Sequence, residues 1–198
     1  RFAGERTGLV QMATGLGKTT VATGDVASFE QERADLGLPR PKVLFLAHQI
    51  ELIQQAKRSF SRDLPEWTSS QLSGSRRPRR DSDITFATLQ SMAGQKDHYG
   101  SDAFDYVIVD ESHHAMAPHF NNTIAYFEPA FRLGITATPF RHDEKDLKEL
   151  FGETVNMAAS GAYLFLIASI GLVVGVLKYV PAQPQDSEGE YQTPIDIQ

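Results

Sequence analysis

No feature limits this chain more than the stretch Met12-Ala-Thr-Gly-Leu-Gly-Lys-Thr19. Two glycines in three residues open a backbone course that other residue types avoid. The apolar run Gly8-Leu-Val-Gln-Met12 reads as a strand entering that turn, and a helical pattern from Lys18 to about Glu32 leaves it. Strand, glycine turn and helix start in that order aim consecutive backbone N–H groups at one point, where phosphate oxygens are received. The Lys18 ammonium can then reach the β/γ-phosphates, and the Thr19 hydroxyl can join a Mg²⁺ shell. Further on, the apolar run Phe104–Val109 leads into Asp110-Glu111-Ser-His-His114, a carboxylate pair at a strand end. Those carboxylates supply what the turn lacks, so together the two signals point to nucleoside-triphosphate hydrolysis.

The remainder alternates short apolar runs with longer amphipathic stretches, the pattern of βαβ units and a parallel sheet. Further strands are expected at Lys42–Ala47, Asp83–Ala87 and Arg132–Thr136. Between Gln49 and Phe60, the residues Ile50, Ile53, Ala56 and Phe60 fall at helical spacing, and His142–Phe151 is charged and helical in pattern. A length of 198 residues with 41% hydrophobic content suits one substantial core with a small appendage. The 19 basic against 25 acidic residues give −6, which excludes a histone-like basic coat but not a local basic track. Zero cysteines excludes disulfides and thiolate metal sites and fits a reducing, cytoplasmic setting. No secretory signal is visible, and the start at Arg1 without an initiator Met suggests a fragment. No internal repeat is present.

The strict phosphate-loop pattern wants glycine where this chain has Met12, while Gly15, Gly17, Lys18 and Thr19 all stand. That departure resembles the superfamily 2 helicases, whose loop is commonly Ala-Thr-Gly-x-Gly-Lys-Thr. The resemblance continues in the family's order. Leu44–His48 followed by Glu51–Ala56 is similar to motif Ia and its helix, and Ile84–Met92 with Thr88 and Gln90 to the Thr-x-Gln element Ib. Val107–His114 is similar to motif II in its Asp-Glu-x-His form, and Leu133–Arg141 with Thr-Ala-Thr-Pro to motif III. The doubled histidine and the Thr-Ala-Thr-Pro-x-Arg ending resemble the translocase subunits of type I and type III restriction enzymes more than the RNA-directed DEAD-box proteins.

The resemblance implies a RecA-like P-loop NTPase fold, a three-layer α/β sandwich around a mostly parallel sheet. It also implies an ATP-dependent DNA helicase or translocase lobe using ATP and Mg²⁺. Ala13, Thr14, Gly15, Leu16, Gly17, Lys18, Thr19 and Thr20 would cradle the nucleotide, with Thr19 and Asp110 at the Mg²⁺. Lys18, Asp110 and Glu111 would be catalytic, Glu111 deprotonating the attacking water. His113, Thr136 and Thr138 would couple hydrolysis to movement. Ala47, His48, Thr88 and Gln90 would grip the sugar-phosphate backbone of DNA, RNA being the less favoured partner. A zinc site at His114 and His119 is disfavoured, because one loop seldom supplies a whole ligand set. Arg76-Arg-Pro-Arg-Arg80 reads first as a solvated loop and second as a phosphate contact.

The expected organisation is a RecA-like lobe over 1–155, an apolar segment over 156–180 and a polar tail over 181–198. No charged residue occurs from Val155 to Leu177, which admits a membrane span or an apolar connector. Interrupting glycines and serines favour the connector. In the family a second RecA-like lobe supplies arginine fingers, so this chain alone is expected to bind ATP weakly and turn it over scarcely. Two rivals stand beside this reading: a membrane-associated P-loop ATPase, and a non-catalytic nucleic-acid interaction module.

Overall fold

The computed structural model describes residues 6–13, 15–72, 81–112, 118–137, 150–151 and 154–156, with only the backbone described at 118–119 and 154–156. The strands are β1 (Thr7–Gln11), β2 (Val43–Ala47), β3 (Ser69–Gln71), β4 (Ile84–Thr88), β5 (Tyr106–Asp110), β6 (Phe131–Thr136) and β7 (Thr154–Asn156). They form one seven-stranded sheet in the order β3-β4-β2-β5-β6-β1-β7. Every pairing is parallel. The helices are α1 (Lys18–Asp35), α2 (Ile50–Asp63), α3 (Leu89–Ala93) and α4 (Pro118–Tyr126), with a 3₁₀ turn at Lys96–His98.

Parallel strands buried on both faces need apolar residues in both alternating sets. The central strands meet that demand: β2 and β5 are buried at every position. Val10, Val43, Phe45, Ile84, Phe86, Ile108 and Ile135 face the layer of α1 and α2, where Ala22, Val26, Ile53, Ala56 and Phe60 complete one core. Leu9, Leu44, Leu46, Ala87, Val107 and Val109 face the opposite layer, where Leu89, Met92, Ile124 and Phe127 complete a second. The expected three-layer sandwich is therefore present, with sheet parity assigning each apolar residue to a face.

Helix ends follow local chemistry. Helix α1 runs three residues past the expected Glu32, to Asp35, and Gly37 just beyond it takes a left-handed φ of 70°. Helix α2 continues to Asp63 and stops at Leu64, the residue before Pro65. The elements absent from the sequence-based expectation are β3, β7, α3 and α4. The Arg76–Arg80 loop, the stretch 138–149, the apolar segment from 157 and the polar tail lie outside the described residues. Among the described residues, no helix is long and apolar enough to cross a membrane.

Candidate nucleotide site

Three adjacent strands bring the motifs together. In the sheet order β5, β6 and β1 are neighbours, and their registers pair Asp110 with Ile135 and Gln11 with Thr136. The end of β1, the acidic end of β5 and the end of β6 thus share one carboxyl edge of the sheet, where open α/β folds bind ligands.

The loop after β1 begins with Met12, whose N–H donates to the Thr136 carbonyl at 2.9 Å. Leu16 N–H donates to the Ala13 carbonyl at 3.3 Å, closing the turn. Gly15 and Gly17 both adopt φ 85°, the left-handed region that other residues enter only with strain. Gly17 stands at the N-terminus of α1 with no side-chain cap, and the first turn of that helix holds no acidic residue. Its leading N–H groups and the positive end of the helix dipole are directed to the loop.

Across the edge, Lys18 Nζ and Glu111 Oε1 form an ion pair, with side chains only 11% and 16% exposed. This contact joins segments 93 residues apart in sequence. Among the described residues, Glu111 is the non-glycine residue with positive φ, at 50°, and such backbones cost about 1–3 kcal/mol. Its N–H donates to Asp110 Oδ1 at 2.9 Å. Asp110 is 8% exposed, and burial pushes its carboxyl above the ordinary carboxylate value. The nearby Lys18 charge opposes that shift, Glu111 reinforces it, and the Glu111 N–H opposes it again. Ser112 is fully buried, and its hydroxyl has no hydrogen-bond partner among the described residues.

These groups suit a magnesium-bound triphosphate. A buried carboxylate with a raised pKa gains most from a divalent cation, and Mg²⁺ takes only one or two protein oxygens while keeping several waters. Asp110 and the half-buried Thr19 could provide those oxygens, and the left-handed glycines and uncapped helix start could provide amides for phosphate.

The other expected residues divide. Ala13 and Thr20 are exposed around the loop, while Thr14, His113, His114 and Thr138 lie outside the described residues, as does the side chain of His119. Thr136 is fully buried at the end of β6. Ala47 is fully buried at the end of β2, so its side chain belongs to the core and only its backbone could meet a nucleic acid. His48 beside it is half-buried. The Thr88 hydroxyl caps α3, accepting from Ser91 N–H at 3.2 Å and donating to Ser91 Oγ at 2.8 Å. Gln90, two residues further, is exposed. Sequence reasoning missed Ser112 and the inward packing of Leu16, which is partly buried against the α1–α2 core. Neither carries a charge or a fixed motif position that would have flagged it.

A parallel sheet with a phosphate loop after one strand and an acidic pair on a nearby strand end defines a P-loop NTPase domain with a RecA-like fold. The chain belongs to the family of the type III restriction enzyme res subunit, whose family model matches residues 1–141. It is similar to the putative ATP-dependent helicase IRC3 of Saccharomyces cerevisiae, 24% identical over 153 residues, covering 74% of this chain and 22% of that protein. Among solved structures it resembles a fragment of a putative HsdR subunit of a type I restriction enzyme from Vibrio vulnificus. The TM-score is 0.54 at 30% identity, covering 78% of this chain and 26% of that one. The SWI2/SNF2 ATPase core of Sulfolobus solfataricus, solved in complex with dsDNA, shares the fold at TM-score 0.54 and 19% identity, covering 69% of this chain and 28% of that one. The chain thus spans about a quarter of the length of these relatives.

Proposed function

We propose that this chain is the ATP-binding lobe of a DNA helicase or translocase, active when paired with a second RecA-like lobe. The observation that carries the reading is the meeting of Lys18 and Glu111 beside Asp110, across 93 residues of sequence. Lys18 neutralises charge on the terminal phosphate, and the loop amides from Ala13 to Thr20 orient the chain of phosphates. Thr19 and Asp110 would hold Mg²⁺, which would supply charge neutralisation to the phosphates. Glu111 accepts the proton of the attacking water, a role open to a carboxylate once Lys18 has turned to phosphate. Thr136, whose carbonyl receives the Met12 N–H, would connect this chemistry to the face where the second lobe docks, a coupling role proposed also for His113 and Thr138.

DNA is the proposed substrate, in keeping with restriction-enzyme kinship and with the DNA-bound SWI2/SNF2 core. His48, Gln90, Thr88 and the Ala47 backbone stand at the ends of β2 and β4, neighbouring strands of the same edge, so they offer contacts to sugar-phosphate rather than to bases. The cytoplasm is the proposed location. Arginines from the second lobe complete the site, and such fingers contribute about 10³–10⁵ in rate, so this lobe alone turns over slowly.

The test is ATP turnover by the full-length protein with single-stranded DNA, duplex DNA or RNA. Glu111→Gln is expected to lower turnover by about 10²–10⁴, the usual contribution of a general base, while ATP binding persists. Lys18→Ala is expected to weaken ATP binding as well. Unchanged turnover in Glu111→Gln contradicts the assignment, and stimulation by RNA alone moves the substrate to RNA.

A further inference from the structure

The phosphate loop sorts its side chains by direction. Ala13, Gly15 and Gly17 are exposed, whereas Met12 is 4% exposed and Leu16 is partly buried. Leu16 sits between the two left-handed glycines, so the most flexible part of the loop carries one large side chain, and that side chain goes inward. It packs against the core cluster that contains Met12, Ala22, Val26, Leu133 and Ile135. Met12 stands where the strict loop pattern has glycine, and its N–H is tied to Thr136.

We propose that Met12 and Leu16 are positioning residues for the nucleotide site, apolar anchors that fasten the loop to the core and hold its amides in the phosphate-receiving arrangement. This rests on the assignment of the loop to ATP made above. Ordering a residue costs about 1–2 kcal/mol of backbone entropy, and glycine loses the most freedom of any residue. A loop with two glycines therefore needs an ordering force that does not occupy its amides. Leu16 provides it from below, by burying apolar surface against the core cluster, and Met12 fixes the root of the loop. A binding site whose donors are held in advance spends less of its interaction energy on ordering them.

The experiment is binding of Mg·ATP to the whole chain, read by displacement of a fluorescent ATP analogue alongside thermal unfolding. Leu16→Ala is expected to weaken ATP binding about tenfold, with a modest fall in unfolding temperature. Leu64→Ala is the matched control, since Leu64 is also partly buried against the same cluster but stands at the far end of α2. It is expected to lower stability similarly and leave ATP affinity unchanged. Met12→Gly is expected to weaken binding and Met12→Leu to retain it. Leu16→Ala binding as tightly as the unmutated chain overturns the proposal, as does equal weakening by Leu16→Ala and Leu64→Ala. Should Met12→Gly fail to fold, the Leu16 and Leu64 pair decides alone. Lys18→Ala separates the two levels: if it binds ATP as well as the unmutated chain, the ATP assignment itself fails, and absence of binding by the unmutated chain contradicts both.

Discussion

At the scale of single residues, Asp110 concentrates the electrostatic problem of this site. Its carboxyl is buried and held above the ordinary carboxylate value, chiefly by loss of water. The folded protein therefore holds that proton more tightly than the unfolded chain does. Asp110 favours folding below its unfolded pKa, and that contribution is lost as pH rises through the folded value. Asp110→Asn removes the buried charge and keeps an acceptor for the Glu111 N–H. Its unfolding temperature should exceed that of the unmutated chain at neutral pH, with the gap closing as pH falls through the carboxylate range. A variant less stable than its parent at pH 7 contradicts this account. Mg²⁺-dependent nucleotide binding should fall in the same variant, so stability and function move in opposite directions. Ser112 offers a second case. A buried hydroxyl without a partner costs about 1–3 kcal/mol, and Ser112 has none among the described residues, so Ser112→Ala should raise stability in urea denaturation by an amount at the lower end of that range. A loss of stability would show that the hydroxyl is engaged.

At the scale of elements, close approach of side chains to β6 sets a tight limit. A Cβ on Gly134 in β6 would lie 2.8 Å from Leu9 Cδ1 and 2.8 Å from Phe151 Cδ1. Gly134→Ala is expected to cost about 1–3 kcal/mol by overpacking, measured as a shift of the urea midpoint at constant slope. A neutral result would mean that Phe151 can withdraw. The strands β1, β2, β4, β5 and β6 were legible because each carries apolar residues in a short run, unbroken in β2 and broken only by the final Asp110 in β5. Ser69-Ser-Gln71 and Thr154-Val-Asn156 escaped because the strands β3 and β7 stand at the sheet edges, three residues long and largely polar. Helix α4 escaped because Pro118–Tyr126 has no charged residue and no clear apolar stripe. Arg132 explains what holds its end. The guanidinium, mostly buried within the apolar β6, donates to the carbonyls of Ile124 at 3.1 Å, Phe127 at 2.7 Å and Leu150 at 3.3 Å. A lone cation inside an apolar strand was visible in the sequence, but its acceptors are carbonyls, which every residue has. The candidate site divides in the same way. Gly15, Gly17, Lys18, Asp110 and Glu111 were readable because phosphate and metal chemistry prescribe residue type and spacing. The anchoring of Leu16 was not, since any apolar side chain can fill that role.

At the scale of the whole molecule, the sheet works as an instrument for convergence. Separate segments, each unremarkable in isolation, reach one edge because parallel strands all present their carboxyl ends together. Strand order then selects which of them meet: β5, β6 and β1 adjoin, so the acidic pair, Thr136 and the phosphate loop share the nucleotide end. Strands β2 and β4 adjoin on the far side of β5, which sets Ala47, His48, Thr88 and Gln90 apart as a separate group. This division places the proposed nucleotide chemistry and the proposed strand-gripping positions on different strand ends of one sheet edge. On the function proposed above, movement along DNA would require a second body that closes and opens against the same edge.

The most direct test is a crystal structure of this chain with Mg²⁺ and a non-hydrolysable ATP analogue. The account predicts the metal about 2.0–2.1 Å from its oxygen ligands, Thr19 Oγ1 among them and Asp110 reached directly or through water. It further predicts Lys18 Nζ on the terminal phosphate, released from Glu111. A triphosphate bound away from Gly15–Thr19, or a metal bound with no part played by Asp110, would contradict it.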